Sequence, residues 1–330
     1  MIRKWMGTLS NLGPLVGFLL VFGLFAFLCH LQGAPFASLY NIKTIMTQTV
    51  IIGTAALGMT LIIVSGGIDL SVGSLVALTT VVTAAVMREL AGPGGEIGVW
   101  LPCLAALCGV GAAAGCGLVN GLLISRLRMV PFIVTLGMMQ IARGLAKWLG
   151  ANQTVVPPDN WLNDLMLVTP RPSWLLVAPG IWFMIALLVA LHVTLRYTVF
   201  GRYVYAIGSS EPTARLCGID VERFRTLIYL LGAAAAGLAG VMQYANLTVG
   251  DPTAAGGMEL DVIAAVVIGG GSLSGGEGSA SGTLLGALIM AVLRNGCNML
   301  GVPNYVQNIV IGAVIIAAVA VDSLKHRWRQ

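Results

Sequence analysis

Residues 57–76 read LGMTLIIVSGGIDLSVGSLV, a glycine-rich turn between two apolar runs. Each run extends to about 20 residues, the length of a helix that crosses a hydrocarbon core about 30 Å thick. Glycine lets the backbone take a positive φ and lets helices approach closely. Asp69 and Ser71 stand where the second run begins, and their side-chain oxygens can accept from free amides at a helix start. The stretch therefore predicts two membrane helices joined by a tight turn.

The composition of the whole chain is typical of a membrane protein. Of its 330 residues, 57% are hydrophobic and 9% are charged, whereas about 25% of residues are charged in soluble domains. The 18 basic and 13 acidic residues cannot cover the surface of a soluble domain of this size. The composition excludes a disordered chain, a nucleic-acid-binding protein and a disulfide-rich secreted module. The long apolar runs favour helices over the short alternating strands of a membrane β-barrel.

We predict an all-α polytopic membrane protein that forms a single transmembrane domain over residues 1–330. About ten helices are predicted, at 13–31, 42–64, 70–88, 99–124, 129–149, 174–195, 226–246, 260–273, 279–300 and 304–322. The eighth is short for a full crossing and borders glycine-rich backbone, so we expect a broken or re-entrant helix. The first lacks a small-residue cleavage site, so we expect it to be retained.

The distribution of basic residues predicts the orientation. With the N-terminus inside, alternation of the spans places twelve Lys and Arg residues on the cytoplasmic side and six on the other. Cytoplasmic segments are enriched in these residues, so both termini are predicted to be cytoplasmic. The longest polar stretch, residues 197–225, then lies in the cytoplasm.

A second glycine-rich turn is similar to the first. Residues 66–73 can be aligned with residues 269–276 with five of eight positions identical. Two explanations stay open: duplicated halves, which are common in transporters, and a chance likeness between two glycine-rich turns. The letters LSGGE at 273–277 match four of five positions of the nucleotide-binding signature of transport ATPases, but the chain has no phosphate-binding loop. We therefore expect no ATP binding by this chain.

Three stretches together resemble the membrane permease of ribose-type ABC sugar importers. They are SGGIDLSVGS at 65–74, GRYVYAIG at 201–208 and ELDVIAAVVIGGG at 259–271, and their order and spacing fit over nearly the whole chain. The residues that carry the two turn motifs are Gly66, Gly67, Asp69, Ser71, Gly73, Gly269, Gly270 and Gly271.

The resemblance implies an ABC importer permease fold and a defined set of partners. The chain would be one of two permease subunits, as a homodimer, in a bacterial inner membrane. A separate cytoplasmic ATPase would hydrolyse ATP, and a periplasmic binding protein would deliver a monosaccharide or sugar-like polyol. The chain itself would be no enzyme and would need no cofactor, metal or nucleic acid. The particular sugar or polyol stays open.

The resemblance implies that the polar loop 197–225 couples the permease to the ATPase. Pro212 is tolerated at a helix start, so we expect a short helix over 211–216 that ends at Gly218. The coupling candidates are Gly208, Glu211, Ala214, Arg215 and Gly218. A plain positively charged loop is the alternative.

Polar residues at membrane depth are the candidates for the solute path. Gln243, Asn246 and Asn298 offer amides to sugar hydroxyls, and hydrogen bonds between helices are the alternative role. Asp251 begins a segment that extends to Gly257 and is a candidate outer gate. None of the six cysteines forms a C-x-x-C pair, and no metal site is predicted.

Two other function classes compete with the importer. An ion- or proton-coupled secondary transporter would need paired buried acids, and only Asp69, Asp261 and Glu277 are near candidates. A channel or a membrane enzyme is the third class, but three scattered histidines form no catalytic cluster. Uptake that requires an ATPase and a binding protein would decide for the importer.

Overall fold

The computed structural model describes the backbone of residues 2–92, 96–170 and 173–327 and the side chains of residues 13–92, 96–170 and 174–320. The described chain is helical, with one isolated antiparallel β-bridge between Val155 and Gly250. The helices are α1 Ile2–Leu31, α2 Leu39–Val64, α3 Val72–Leu90, α4 Leu101–Arg126, α5 Pro131–Leu149, α6 Pro179–Tyr197, α7 Val199–Ser209, α8 Glu211–Leu216, α9 Val221–Leu247, α10 Met258–Ile268, α11 Ala280–Met299 and α12 Asn304–Arg327, with short 3-10 turns at Trp161–Met166 and Ser173–Leu175.

Seven helices of the described chain are long and apolar enough to cross a membrane. They lie in α1 (from Gly13), α2, α3, α4, α6, α9 and α11. The prediction of an all-α membrane protein is confirmed. Each of the seven overlaps a predicted span.

The other three predicted spans do not meet the same criterion. Helix α5 has 19 residues but carries Arg143 and Lys147, and α10 has only 11 residues. In α12 the apolar part is 304–320. Ten crossings therefore stay a prediction.

Several helix boundaries differ from the predicted spans, and helix α10 ends at Ile268 rather than 273. Helix α6 begins at Pro179 rather than 174, because a proline fits the first turn of a helix. Helix α9 begins at Val221 rather than 226, because the Asp220 side chain accepts from the Arg223 amide and starts the helix among charged residues. The stretch 197–225 consists mainly of α7, α8 and the start of α9.

Helices α2 and α9 form the centre of the molecule. Helix α2 is buried over most of its length and packs on α9, α10 and α11, while α9 also packs on α3 and α4. A methyl group at Gly58 would lie 2.7 Å from the Gly232 carbonyl oxygen, so glycine allows α2 and α9 to approach at this level. Helices α1, α5 and α12 pack at the periphery, mainly on α11, α3 and α10 respectively.

Candidate functional site

The C-terminal end of α7 lies between the two glycine turns. The Gly276 amide donates to the Val64 carbonyl at 2.8 Å, and the Tyr205 hydroxyl donates to the Gly278 carbonyl at 2.8 Å. A methyl group at Gly208 would lie 1.8 Å from the Val64 oxygen and 2.6 Å from the Gly276 nitrogen. Only a glycine at position 208 fits this contact. We call the meeting point of Gly66, Gly208, Gly275 and Gly276 the glycine joint.

The helices before the two turns end in the same way. Gly66 has φ +80° and Gly270 has φ +92°, and the amides of Gly67 and Gly271 each donate to a carbonyl five residues earlier. Gly66 therefore corresponds to Gly270, whereas the sequence alignment paired it with Gly269. The alignment was wrong by one residue. The same glycine cap also ends α1, α8 and α11, so the cap by itself is no evidence of a duplication.

A polar cluster anchors the first turn to its neighbours. Asp69 is fully buried, and its Oδ1 accepts from the Ser71 amide at 2.8 Å and from the Ser71 hydroxyl at 2.5 Å. The Asn120 amide of α4 donates to the Ser71 hydroxyl at 3.4 Å, and the Tyr229 hydroxyl of α9 donates to the Ile68 carbonyl at 3.3 Å. Asp69 thus orders the turn but does not bond the helical amides of α3. The Ser71 side chain makes no cap bond.

This cluster contains two oxygens without a partner. Asp69 Oδ2 and Asn120 Oδ1 are buried and have no hydrogen-bond partner among the described residues. Sequence reasoning named Asp69 and Ser71 but missed Asn120 and Tyr229, which lie far away in the chain. Buried polar groups are costly when unpaired, so this turn depends strongly on the hydrogen bonds that it does make.

Gly73 allows another close approach. A methyl group at this position would lie 2.5 Å from both the Ala255 carbonyl oxygen and Glu259 Oε2. The segment that leads into α10 therefore packs directly on the first turn of α3. Among the motif glycines of the described chain, only Gly73 makes a close contact with the segment that leads into α10.

An ion-pair network fixes α8. The Glu211 carboxylate accepts from Arg215 Nη2 at 2.9 Å and from Arg225 Nη2 at 2.6 Å, and Arg215 also approaches Glu222 at 3.8 Å. The hydrogen bond from Arg225 is the main cause that holds the pKa of Glu211 below its usual range, and partial burial opposes it. Arg225 belongs to α9, so the network ties α8 to α9.

Helix α8 has a packed side and an exposed side. Ala214 is buried against Ile207 and Val221. Leu216 is 89% exposed, and the following Cys217 is also exposed. A groove of about 650 Å³ runs between α7 and α8. Gly218 ends α8 with φ +81°. The predicted short helix over 211–216 is present, and it presents an apolar side chain outside the bundle.

The segment 250–257 lies along α3, with Gly250 beside Thr80 and Ala255 beside Gly73, and hydrogen bonds fasten it there. Arg143 of α5 donates to the Pro252 carbonyl at 3.0 Å and to the Ala254 carbonyl at 2.7 Å. The Asp251 amide donates to the Thr80 hydroxyl at 3.2 Å. Sequence reasoning placed Asp251 here but assigned no role to Arg143 or Thr80 in this segment, because the contacts join residues more than 100 positions apart.

The three amides predicted for the solute path do not form one site. Gln243 and Asn246 lie on α9, and Asn246 is exposed. Asn298 lies on α11, and its Oδ1 accepts from Gln307 of α12 at 2.8 Å. No hydrogen bond among the described residues joins Asn298 to either α9 amide. The described chain also holds no group of three or more His, Cys, Asp or Glu residues that could bind a metal ion.

Comparison with known proteins decides the family. Residues 41–319 match the family described as branched-chain amino acid transport system / permease component. The chain belongs to this permease family. It is 41% identical to the ribose import permease protein RbsC of Escherichia coli K12 over 250 residues, 73% of this chain and 72% of that protein. The fructose import permease protein FrcC of Rhizobium meliloti is 36% identical over 79% of this chain and 71% of that protein.

A third relative and the family together show what kind of transport subunit the chain is. The L-arabinose ABC transporter permease protein AraH of Azospirillum brasilense is 36% identical over 71% of this chain and 66% of that protein. No solved structure matches the chain. The permease is the membrane subunit of a binding-protein-dependent ABC importer. Its partners are an ATPase subunit, which hydrolyses ATP, and a solute-binding protein, and the permease itself is no enzyme.

Proposed function

We propose that the permease carries a monosaccharide or sugar-like polyol into a bacterial cell by alternating access. The sugar class rests on the names of its relatives, which are import permeases for ribose, fructose and L-arabinose. The energy comes from an ATPase that docks on α8. The glycine joint carries this part of the proposal, because it brings the end of α7 into main-chain contact with both glycine turns.

The joint supplies a short mechanical path. Helix α8 begins two residues after Ser209, the last residue of α7, and its ion pairs tie it to α9. Gly208 touches the end of α2 and the turn before α11. A closing ATPase that pushes α8 therefore displaces both turns together. The coupling residues are Gly208, Glu211, Ala214, Arg215 and Gly218.

The same proposal includes the number of membrane crossings, the orientation, the internal repeat and the dimer. Helices α5, α10 and α12 complete ten crossings of the bacterial inner membrane, with α10 as a broken or re-entrant one. Both termini lie in the cytoplasm, the two glycine turns descend from an internal repeat, and two copies of the chain form the permease dimer. The Lys and Arg distribution supports the orientation. Cross-linking between two copies of the chain tests the dimer, and the accessibility of introduced cysteines tests the orientation.

Segment 250–257 forms the outer gate. Segment 250–257 is fixed by Arg143 and by the Thr80–Asp251 contacts, so its release would open the outer face. Gln243 and Asn246 on one helix and Asn298 on another contact the solute at separate stages. Equal reactivity of an Asp251→Cys variant with a membrane-impermeant reagent in every nucleotide state would contradict the gate.

Reconstitution tests the function. The permease is placed in proteoliposomes with its ATPase and binding protein, and uptake of labelled sugars is measured. We expect ATP-dependent uptake that needs all three components, while a Leu216→Ser variant loses uptake and ATPase binding but keeps its unfolding temperature. A Leu127→Ser variant is the control, since Leu127 is also exposed but lies between α4 and α5. Uptake by the permease alone, driven by a proton gradient, would overturn the proposal.

A further inference from the structure

A large cavity lies beside the glycine joint and is distinct from the groove on α8. Its volume is about 1,180 Å³, and its walls come from α1, α6, α7, α11, α12 and the turn after α10. Part of α7 therefore separates the cavity from the groove, with Arg202 lining both. The proposed transport cycle assigns no role to this cavity.

One end of the cavity is basic. Arg196 in the last turn of α6, Arg202 in α7 and His192 in α6 all line it. Within the described part of the chain, neither arginine forms an ion pair or donates a hydrogen bond to a carboxylate. The first turn of α11 also lines this region at Ala280 and Ser281, and the start of a helix favours negative charge.

The walls from α1 and α12 and the later part of α11 are apolar. A methyl group at Gly17 of α1 would lie 3.7 Å from Ile289 of α11, and Val21 of α1 and Val314 and Ala318 of α12 also line the cavity. Helices α1 and α11 are long and apolar enough to cross a membrane, so this end of the cavity lies at the depth of the acyl chains. One end of the cavity therefore carries cationic side chains near the end of α6, and the other end is a narrow apolar slot.

We propose that the cavity binds an anionic phospholipid, with the phosphate at Arg196 and Arg202 and an acyl chain along α1, α11 and α12. Guanidinium groups bind phosphate through paired hydrogen bonds, and basic pockets between membrane helices suit acidic headgroups. The lipid would lie between α1, which packs on α11, and α12, which packs mainly on α10. Through Arg202 and Tyr205, which both line the cavity, it also contacts α7 close to the glycine joint.

The Glu277 carboxylate lines the same cavity. It repels a phosphate, so the headgroup must lie on the α6–α7 side. This gives the site a direction that can be tested: a Glu277→Gln variant is expected to retain the lipid at least as well as the unaltered protein.

The test measures lipid retention by the full-length permease. The protein is purified from nanodiscs that contain phosphatidylcholine and phosphatidylglycerol, and bound lipid is counted by native mass spectrometry. We expect selective retention of phosphatidylglycerol, and roughly tenfold weaker retention in the Arg196→Gln/Arg202→Gln double variant, since two charge-assisted contacts are lost. The Arg126→Gln/Arg128→Gln double variant is the matched control, because it removes the same charge from exposed positions outside the cavity.

A steric variant tests the apolar half independently. A methyl group at Gly17 would meet only Ile289 at 3.7 Å, an ordinary contact, so Gly17→Leu should fold and fill the slot. We expect it to release the lipid while all basic residues stay in place. Equal retention of the two lipids, equal loss in the control, unchanged retention in Gly17→Leu, or displacement of the lipid by inorganic phosphate alone would each overturn the proposal. Closure of the cavity by a second copy of the chain, seen as lipid-free cross-linked dimers, would do so too.

Discussion

Arg225 of α9 holds the Glu211 carboxylate of α8 at 2.6 Å, and the Arg225 side chain is only 18% exposed. Arg215, one helical turn along α8, binds the other carboxylate oxygen. The Glu211 side chain therefore forms one ion pair within α8 and a second one that joins α8 to α9. The orientation of α8 depends on the charge of Glu211.

This charge predicts a pH dependence. The pKa of Glu211 is below its usual value of about 4.3 because of Arg225, so its stabilising effect is complete above that pH. The effect is lost as the pH falls through the lowered value. We expect the unfolding temperature difference between the unaltered protein and Glu211→Gln to be constant from neutral pH down to about pH 5 and to shrink in stronger acid. The exposed pair Arg88–Glu89 provides the control variant Glu89→Gln; an equal pH response there would refute the assignment.

The glycine joint predicts a severe effect of one methyl group. Gly208→Ala places a carbon against the Val64 and Gly276 main chains, which cannot swing aside as a side chain can. We expect a loss of about 1–3 kcal/mol in the free energy of unfolding together with a loss of ATP-driven uptake. Gly111→Ala on α4 is the control, since nothing lies within 4 Å of its added carbon. A Gly208→Ala protein that transports as well as this control would show that the contact is loose.

The Asp69 cluster predicts different costs for two substitutions. Asp69→Ala leaves the buried Ser71 amide without an acceptor, at a cost of about 1–3 kcal/mol. Asp69→Asn keeps an acceptor for the Ser71 amide and hydroxyl, so we expect a smaller loss. Thermal unfolding in detergent measures both. Equal destabilisation would mean that the negative charge, rather than the hydrogen bonds, orders the turn.

Loss of the Arg143 hydrogen bonds is expected to loosen segment 250–257. Arg143→Gln removes a charged donor from the Pro252 and Ala254 carbonyls, so amide exchange in segment 250–257 is expected to quicken roughly tenfold. Exchange in α2 should not change. Lys147→Gln, an exposed change one turn further along α5, serves as the reference. If both variants exchange alike, Arg143 does not hold the segment.

Local chemistry made much of the helix pattern predictable. The run before Ser65 is largely apolar, and Pro212 after Ser210 signals the start of α8, whose side-chain cap is present. By contrast, α9 begins at Val221 among charged residues that resemble a loop. The Asp220 cap sets this start, whereas the rest of the helix packs on α2 and α4 through contacts that a local pattern does not contain.

The site was predictable only in part. The glycine motifs pointed to both turns, and the polar stretch pointed to α8. The meeting of Gly208 with those turns depends on packing between segments far apart in the chain, and so do the Arg143 contacts. The one-residue error in aligning the turns arose because identical letters were matched, whereas the backbone places the positive φ at Gly66 and Gly270.

The glycine joint also limits how this permease can be redesigned. Its three segments touch through main-chain atoms, so a bulkier residue in one segment cannot be accommodated by trimming a side chain in another. A chimera that exchanges α7 alone must keep glycine at position 208. The exposed side of α8, with Leu216 and Cys217, has no such restriction. Adapting the permease to a foreign ATPase should therefore begin with that surface and leave the joint intact.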